Sequence, residues 1–484
     1  MSMERILKNF YKYNLFISDQ NFTYFDQYLF IQKFLIFLIK KKIKTNAKIL
    51  IISKNSIFLG KILLSFLYNK NEVFLLGNNV TNQDRDILIS KIKFDMCIID
   101  DSKTVSNLNL KNIMTLNYIE NQLIDIENPK TFIRENKNYN KIILNIFTSG
   151  TTSKPKIIKH TYNNFYKNYL SFNEIVNIKK SNTFWNCLPM TYLGGYYNLL
   201  LIPFFSGASI YIDKEFSINS LYNLPLIIKK FRIDTIWLTP TFAKLFLNYF
   251  NNANKRKNLN NLSRGFIGMD AVDQSLKEIF LSKFKIRLLE NYGLSETLFI
   301  SSESLKDKSF SSGKLLKSVK LIKSKNAELI INTKTLSKHI RSQNFKTGDL
   351  YKFSNNKIFI EGRLKDIIIK GGLNINPIEL ENVISKHKSI KEASVFGIKD
   401  KTFSTEIICV ALVVEKNFRI NDFQTFCSKN LSSYLVPQKI YITSSIPKTS
   451  SGKVMKNLLR TENFDEIDNV NIFSNNKDIK VKES

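Results

Sequence analysis

The chain has 484 residues, of which 43% are hydrophobic, so it can form a large globular core and, at roughly 150 residues per domain, about three domains. The net charge is +31, but the lysines are spread evenly along a Lys-, Asn- and Ile-rich chain. A coding bias therefore explains the charge better than a nucleic-acid or anionic-membrane partner, although a positive field would still help to gather ATP and an acid substrate.

The four cysteines lie far apart without a CxxC pair, which argues against a metal site and predicts a reducing, cytoplasmic compartment. Residues 1–14 carry charges within every apolar run, so no signal peptide is expected. Residues 29–39 are apolar but short and include Lys33, which predicts a buried helix and no transmembrane segment. Peripheral contact with a membrane stays open.

Short apolar runs then alternate with helical patterns such as residues 57–68, and this alternation favours an α/β fold. The runs are rich in β-branched residues and are bounded by Lys, Asn or Gly, which is typical of buried strands. The predicted strands are residues 49–52, 73–76, 96–99, 142–147, 210–212 and 235–238.

A change of pattern follows a short predicted strand at residues 358–360. After Gly362-Arg363-Leu364-Lys365-Asp366 comes a smaller α+β pattern. It comprises a strand at 367–369, a helix at about 377–387 and strands near 393–396 and 407–414. The sequence therefore predicts an N-terminal domain over residues 1–361, a hinge at 362–366, a C-terminal domain at 367–462 and a disordered Asn/Asp/Lys-rich tail at 463–484.

The strongest chemical signal follows the predicted strand 142–147. Small residues there allow backbone N–H groups to approach an anion, hydroxyls add donors, and a lysine adds positive charge, so the stretch predicts a phosphate-binding loop. Its residues are Thr148, Ser149, Gly150, Thr151, Thr152, Ser153, Lys154, Pro155 and Lys156.

This stretch resembles the phosphate loop of the acyl-adenylating, AMP-forming enzymes, whose usual pattern is TSGTTGxPKG. Ser153 and Ile157 stand where that pattern has glycine, which reduces the backbone freedom of the loop. The resemblance extends from about residue 49 to residue 460 and implies a large N-terminal α/β domain of several sheets with a small mobile α+β domain. It also implies ATP and Mg²⁺ as requirements.

Further motifs of that family appear in its order. Asn291-Tyr292-Gly293-Leu294-Ser295-Glu296-Thr297 resembles the YGxTE motif. The resemblance implies that Asn291 and Gly293 belong to the ATP site, that Tyr292 stacks on adenine, that Thr297 contacts the α-phosphate and that Glu296 binds Mg²⁺. The chemistry agrees, because an aromatic face suits a purine and a carboxylate oxygen suits Mg²⁺.

Two later motifs complete the predicted ATP site. Thr347-Gly348-Asp349 resembles the TGD motif, whose aspartate binds the ribose hydroxyls, and Arg363 adds a second group on the ribose side. Lys365 falls at the hinge position of the family. Pro447 to Lys453 resembles the PxTxxGK motif, which implies that Lys453 is the catalytic lysine that offsets charge developing on the α-phosphate.

The acid pocket is less sharply indicated. Residues 188–196 hold no carboxylate that could pair with an α-ammonium group, so a fatty or aromatic acid is expected and an α-amino acid is not. The predicted pocket residues are Tyr192, Gly194, Gly195, Gly268 and Phe299, and ordinary core packing is the alternative interpretation for each of them.

Gly371 and Gly372 lie in a stretch that resembles the thiol path of CoA ligases. The predicted function is an AMP-forming acyl-CoA synthetase, or acid–thiol ligase, with a carboxylic acid, ATP and CoA as substrates. Loading of an acyl carrier protein is the first alternative, and a basic nucleic-acid-binding protein on a decayed ligase scaffold is the second. No nucleic-acid partner is expected, because no aromatic-and-basic RNA-binding motif is present.

Overall fold

The computed structural model describes residues 1–77, 89–100, 112–148, 156–252, 256, 259–324, 327–370, 372–399, 405–448, 454–460 and 469–471. The chain divides into two compact units. Unit 1 comprises residues 1–320 and 332–344, and unit 2 comprises residues 321–331 and the chain from Phe345 onward. The boundary predicted at residue 361 therefore falls within unit 2, and that domain boundary stays a prediction.

Unit 1 contains two large sheets. Their strands are β1 Asn14–Phe16, β2 Phe22–Thr23, β3 Lys48–Ile52, β4 Glu72–Leu75, β5 Met96–Ile99, β6 Ile113–Thr115, β7 Ile142–Thr148, β8 Lys156–Thr161, β9 Thr183–Asn186, β10 Ser209–Ile212, β11 Thr235–Leu238, β12 Arg264–Gly268, β13 Leu288–Leu294, β14 Leu298–Ser302 and β15 Lys314–Leu315. One sheet has the order β6-β5-β3-β4-β7-β8, and the other has the order β15-β14-β13-β12-β11-β9-β10-β1-β2.

Helices connect these strands, as expected for parallel neighbours, which need crossover connections. They are α1 Met3–Asn9, α2 Tyr24–Lys40, α3 Ile57–Asn69, α4 Leu116–Ile124, α5 Tyr162–Val176, a π-helical segment Gly194–Leu201 that continues into α6 Ile202–Ser206, α7 Ile218–Phe231, α8 Pro240–Tyr249 and α9 Gln274–Phe284. Helix α2 begins at a capping box, in which Thr23 and Asp26 satisfy each other's backbone N–H groups.

The core of the nine-stranded sheet is strongly aromatic. Phe172 of α5 stacks on Phe299 of β14 with ring centroids 4.5 Å apart, and Trp237 of β11 lies 5.6 Å from the same ring. Such stacked pairs add to the stabilisation that burial of the rings provides. This packing fixes α5 against the strands that carry the Asn291–Thr297 motif.

The remaining strands form three smaller sheets. They are β16 Val319–Ile322, β17 Glu328–Thr333, β18 Phe345–Ser354, β19 Lys357–Arg363, β20 Ile368–Lys370, β21 Leu373–Ile375, β22 Ile390–Lys399, β23 Glu406–Val414, β24 Lys439–Ile442 and β25 Asn469–Asn471. The sheets are β16-β17-β18-β19, the hairpin β20-β21 and β22-β23-β24-β25. The accompanying helices are α10 Pro377–Ile384, α11 Ile420–Asn430 and α12 Lys456–Arg460.

The predicted α/β fold, with several sheets in a large N-terminal part and a separate C-terminal part, is confirmed. Within the predicted disordered tail, Asn469–Asn471 forms a strand paired with β24, and the other tail residues lie outside the described part. None of the helices in the described part of the chain combines the length and apolar character that are needed to span a membrane.

Candidate ATP and acid site

The predicted phosphate loop connects two paired strands of unit 1. Strands β7 and β8 are antiparallel, and Thr148 at the end of one lies opposite Lys156 at the start of the other. The intervening predictions, Ser149, Gly150, Thr151 and Thr152, lie outside the described residues, as do the side chains of Thr148 and Lys156. The strand pairing therefore fixes where the loop begins and ends.

The Tyr292–Thr297 motif forms a tight connection between β13 and β14. A register shift occurs between Tyr292 and Gly293. A Cβ at Gly293 would meet the carbonyl oxygen of Leu298 at 2.3 Å, so this close backbone approach requires glycine. The Thr297 amide donates to the Leu294 carbonyl over 3.1 Å, and the Leu294 amide donates to Thr297 Oγ1 over 3.2 Å. These bonds close the turn.

Asn291 holds a buried acceptor without a partner among the described residues. Its Nδ2 donates to Ser302 Oγ over 2.8 Å, and the Ser302 hydroxyl donates to the Glu303 carbonyl over 2.9 Å. Because that hydroxyl proton is already used, Asn291 must present its amide nitrogen to Ser302. Its Oδ1 is then left as an acceptor, buried and unpaired in the described structure.

The two polar residues at the end of the motif differ in exposure. Glu296 is partly exposed, whereas Thr297 is fully buried. The Thr297 hydroxyl donates to the Leu298 carbonyl over 2.9 Å, so in this structure it stabilises the turn. Its contact with the α-phosphate stays a prediction.

His160 on β8 is a residue of this region that motif reasoning missed. Its Nε2 lies 2.7 Å from the carbonyl oxygen of Ser295, the residue before Glu296. Burial lowers the pKa of His160 to about 4, so the ring is neutral near pH 7. This contact places the Glu296 turn beside the strand that begins at Lys156.

Unit 2 contains the predicted ribose-binding pair. Asp349 on β18 lies opposite Arg363 on β19, and Arg363 Nε lies 2.8 Å from Asp349 Oδ1. Gly348 has φ +72°, a left-handed conformation that favours glycine, and the Thr347 hydroxyl donates to the Leu329 carbonyl over 2.8 Å. The strand pairing thus brings together two residues that are separate in the sequence.

The predicted hinge residue lies directly after β19. Lys365 is exposed in a 3₁₀-helix, Leu364–Asp366, whose last residue lies 3.5 Å from Arg460 in an ion pair. Asn376 caps α10 through its Oδ1 and donates through Nδ2 to the Glu361 carbonyl. The segment before Lys365 is therefore tied to the start of α10.

The predicted catalytic and thiol residues are described only in part. Lys453 and Gly371 lie outside the described residues. Lys448 and Val454 pair as an antiparallel bridge on either side of the segment that contains Lys453. Gly372 has φ +80°, so its backbone conformation favours glycine.

The predicted acid-pocket residues lie in unit 1, and packing accounts for several of them. A Cβ at Gly195 would meet the Pro189 carbonyl oxygen at 2.2 Å, and one at Gly268 would meet the Asn291 carbonyl oxygen at 2.4 Å. Phe299 belongs to the aromatic core. At Gly194 a Cβ would meet Met269 Sδ at 2.9 Å, and Tyr192 is partly exposed. Their contact with an acid stays a prediction.

Known proteins with related sequences and folds include several ligases. A 2-succinylbenzoate–CoA ligase of Listeria innocua is 24% identical over 80% of this chain and 82% of its own length. An oxalate–CoA ligase of Arabidopsis thaliana is 26% identical over 65% of this chain and 66% of its own length.

Solved structures show the same fold at lower identity. ATP-bound MatB from Rhodopseudomonas palustris has a TM-score of 0.83 at 17% identity, covering 95% of this chain and 98% of that one. The o-succinylbenzoate CoA synthetase of Bacillus subtilis, in complex with its acyl-adenylate, has a TM-score of 0.81 at 19% identity, covering 94% and 98%.

Family models match two stretches of the sequence. Residues 8–330 match the AMP-binding enzyme family, and residues 379–453 match the AMP-binding enzyme C-terminal domain. The first match alone spans more than half of the chain. The chain therefore belongs to the AMP-binding enzyme family.

Proposed function

We propose that this protein activates a carboxylic acid with ATP and transfers the resulting acyl group to CoA. The observation that carries the proposal is the Asn291–Thr297 segment, which combines a buried acceptor without a partner among the described residues, Asn291 Oδ1, with a partly exposed carboxylate, Glu296. The contact of His160 with Ser295 holds the Glu296 turn against β8. It brings the proposed Mg²⁺ carboxylate beside the strand pair that bounds the phosphate loop. The relatives named as CoA ligases support the same activity.

The described residues fit ATP in two respects. The unpaired Asn291 Oδ1 suits the exocyclic amine of adenine, because it is a buried acceptor that lacks a donor. Tyr292, the next residue, supplies an aromatic ring for a purine. On the ribose side, Asp349 is a carboxylate that can accept hydroxyl donors, and Arg363 fixes its orientation.

The residues also fit Mg²⁺ as it is usually bound with nucleotides. The described part of the chain holds no cluster of three or more His, Cys, Asp and Glu residues that could form an all-protein metal site. Mg²⁺ typically uses one or two carboxylates together with phosphate oxygens and water. The partly exposed Glu296 would be that carboxylate, and the ion would neutralise charge on the phosphates.

The reaction has two steps. An oxygen of the acid attacks the α-phosphorus of ATP, the bond to the β-phosphate oxygen breaks, and pyrophosphate leaves. The thiol sulfur of CoA then attacks the acyl carbon, loses its proton, and AMP leaves. Lys453 would stabilise the first transition state, and rotation about Lys365 would bring Gly371 and Gly372 to the thiol in the second.

The acid is proposed to be aromatic or fatty. Residues 188–196 hold no carboxylate to pair with an α-ammonium group, and a buried ammonium without a partner would cost several kcal/mol. The relatives named for 2-succinylbenzoate support an aromatic acid, whereas the relative named for oxalate supports a small diacid, so the panel of acids includes both.

Acid-dependent pyrophosphate release tests the proposal. The full chain is assayed with Mg·ATP and a panel of 2-succinylbenzoate, benzoate, oxalate, a medium-chain fatty acid and several α-amino acids. Aromatic or fatty acids should give the highest kcat/KM, and free CoA should discharge the adenylate. A preference for an α-amino acid would contradict the pocket assignment. If only a phosphopantetheinylated carrier protein discharges the adenylate, the acceptor is that carrier protein and not CoA.

A further inference from the structure

A network of buried side chains outside the ATP motifs holds the Glu296 turn. Its members lie on β8, on α5 and in the segment after β17, and all are at least nine-tenths buried. They are His160 at 0% exposure, Asn164 at 4%, Thr335 at 0% and Ser337 at 1%.

The network satisfies three consecutive carbonyl groups of the turn. The carbonyl of Ser295 accepts from His160 Nε2 over 2.7 Å, that of Glu296 accepts from the Ser337 amide over 2.7 Å, and that of Thr297 accepts from Thr335 Oγ1 over 3.1 Å. Because all three carbonyls accept hydrogen bonds, the peptide planes before and after the Glu296 Cα are fixed.

His160 has one possible tautomer in this network. A carbonyl oxygen only accepts, so Nε2 must carry the ring proton, and the unprotonated Nδ1 lies 3.4 Å from Asn164 Nδ2. Asn164 Nδ2 also lies 3.0 Å from the Thr335 carbonyl and 2.8 Å from the Leu336 carbonyl. The two N–H donors of Asn164 serve these two closer carbonyls, so Asn164 anchors residues 335–336 beside the histidine, and the bond to Ser295 orients the ring.

The same segment is bonded to β8 itself. The Ser337 hydroxyl donates to the Lys159 carbonyl over 2.8 Å, and the Lys159 amide donates to the same hydroxyl oxygen over 2.9 Å. Residues 335–337 therefore link the strand that follows the phosphate loop to the turn that carries Glu296.

We propose that His160 is a positioning residue for Mg²⁺-dependent ATP binding, because it fixes the backbone from which the Glu296 carboxylate projects. This inference rests on the proposed function. His160 acts through the Ser295 carbonyl and not by contact with ATP. Residues that orient metal ligands typically change metal affinity or activity by about 10–100-fold when they are replaced.

The test measures binding of ATP to the full chain by titration calorimetry, with saturating MgCl₂ and separately in EDTA. In His160→Leu the Kd for ATP with Mg²⁺ should rise about tenfold or more, whereas the Kd in EDTA should change less than twofold. His160→Gln should restore most of the affinity, because its amide N–H can still donate to the Ser295 carbonyl.

Asn173→Ala is the matched control. Asn173 lies on the same helix as Asn164, and its side chain bonds the backbone of Ile178 at the far end of α5. The control should lower Tm without changing the Mg²⁺ dependence. If His160→Leu does not fold, Thr335→Val removes one donor at nearly constant volume and should raise the Kd with Mg²⁺ about threefold.

Two results would overturn the inference while leaving the proposed function intact. One is a normal gain in ATP affinity on adding Mg²⁺ in the folded His160→Leu or Thr335→Val protein, with only Tm lowered. The other is a His160→Gln protein as impaired as His160→Leu. If the wild-type protein shows no Mg²⁺-dependent ATP binding, the proposed function and this inference both fail.

Discussion

Replacing Lys277 with methionine should strongly destabilise the part of unit 1 that carries the Asn291–Thr297 motif. Lys277, on α9, is fully buried, and its Nζ lies 2.7 Å from Glu290 and 3.3 Å from Glu303. The Ser311 carbonyl also accepts from it over 3.1 Å. Glu290 directly precedes Asn291 and Tyr292, so the ion pairs anchor the strand of the predicted adenine site.

The magnitude follows from burial. The Glu303 side chain is 0% exposed and the Glu290 side chain 12%, so Lys277→Met leaves two carboxylates with little access to water, and Arg287 stays 3.8 Å from Glu303 Oε1. Removing one partner of a buried ion pair costs about 3–5 kcal/mol. At about 2 °C per kcal/mol for a large unit, Tm should fall by roughly 6–10 °C.

The loss of Tm in Lys277→Met should also depend on pH. Burial raises the pKa of the Glu303 carboxyl, and Lys277 opposes that rise. A folded-state pKa above the unfolded value means that stability is lost as pH rises through it, and without Lys277 the pKa should rise further. The loss of Tm in Lys277→Met should therefore be larger at about pH 8 than at about pH 5.5.

Thermal unfolding measured by circular dichroism at both pH values provides the assay. Lys317→Met is the matched control, because Lys317 pairs with Glu174 at 2.9 Å but the two side chains are 81% and 50% exposed. Exposed pairs contribute little, so its Tm should stay close to that of the wild type. A loss of Tm in Lys277→Met no larger than that of the control, or one independent of pH, would show that these ion pairs do not stabilise unit 1.

Three further predictions concern the proposed reaction. Glu296→Gln should raise the Mg²⁺ concentration required for half-maximal pyrophosphate release while Tm changes little, and superimposable Mg²⁺ titrations would exclude Glu296 as a ligand. Lys453→Ala should slow adenylation on the order of 10²–10³-fold but spare thiolysis of a supplied acyl-adenylate, and equal losses in both steps would contradict its role. Lys365→Pro fixes φ at about −65°, so thioester formation should fall while adenylation survives; equal effects on both steps would point to a rigid turn.

The buried strands could be predicted from sequence because short β-branched runs between polar residues leave few alternatives. The runs predicted at 96–99 and 235–238 coincide with β5 and β11, and the run at 49–52 differs from β3 by one residue. The helix predicted over 377–387 ends at Ile384. Beyond Ile384 the chain forms a turn, and the His387 ring packs edge-on against Phe426 with centroids 5.1 Å apart.

Sequence patterns indicated candidate site residues only within short motifs. Asn291 to Thr297 form one motif, but the residues that hold its turn are distant in sequence. His160 and Ser295 are 135 positions apart, and Ser337 and Lys159 are 178 apart. A single buried histidine or serine forms no recognisable motif in the sequence. These contacts could therefore be identified only from the folded structure, in which the sheets bring the residues together. The unpaired Asn291 Oδ1 likewise depends on the orientation of Ser302.

In the proposed reaction this chain couples ATP cleavage to acyl-CoA formation through an adenylate. The most direct measurement incubates the full chain with Mg·ATP, CoA and the best acid of the panel, and quantifies nucleotides, pyrophosphate and thioester by liquid chromatography with mass spectrometry. We expect AMP, pyrophosphate and acyl-CoA in equal amounts, with acyl-AMP accumulating when CoA is omitted. Formation of ADP and phosphate, or AMP without any acyl-CoA, would contradict it.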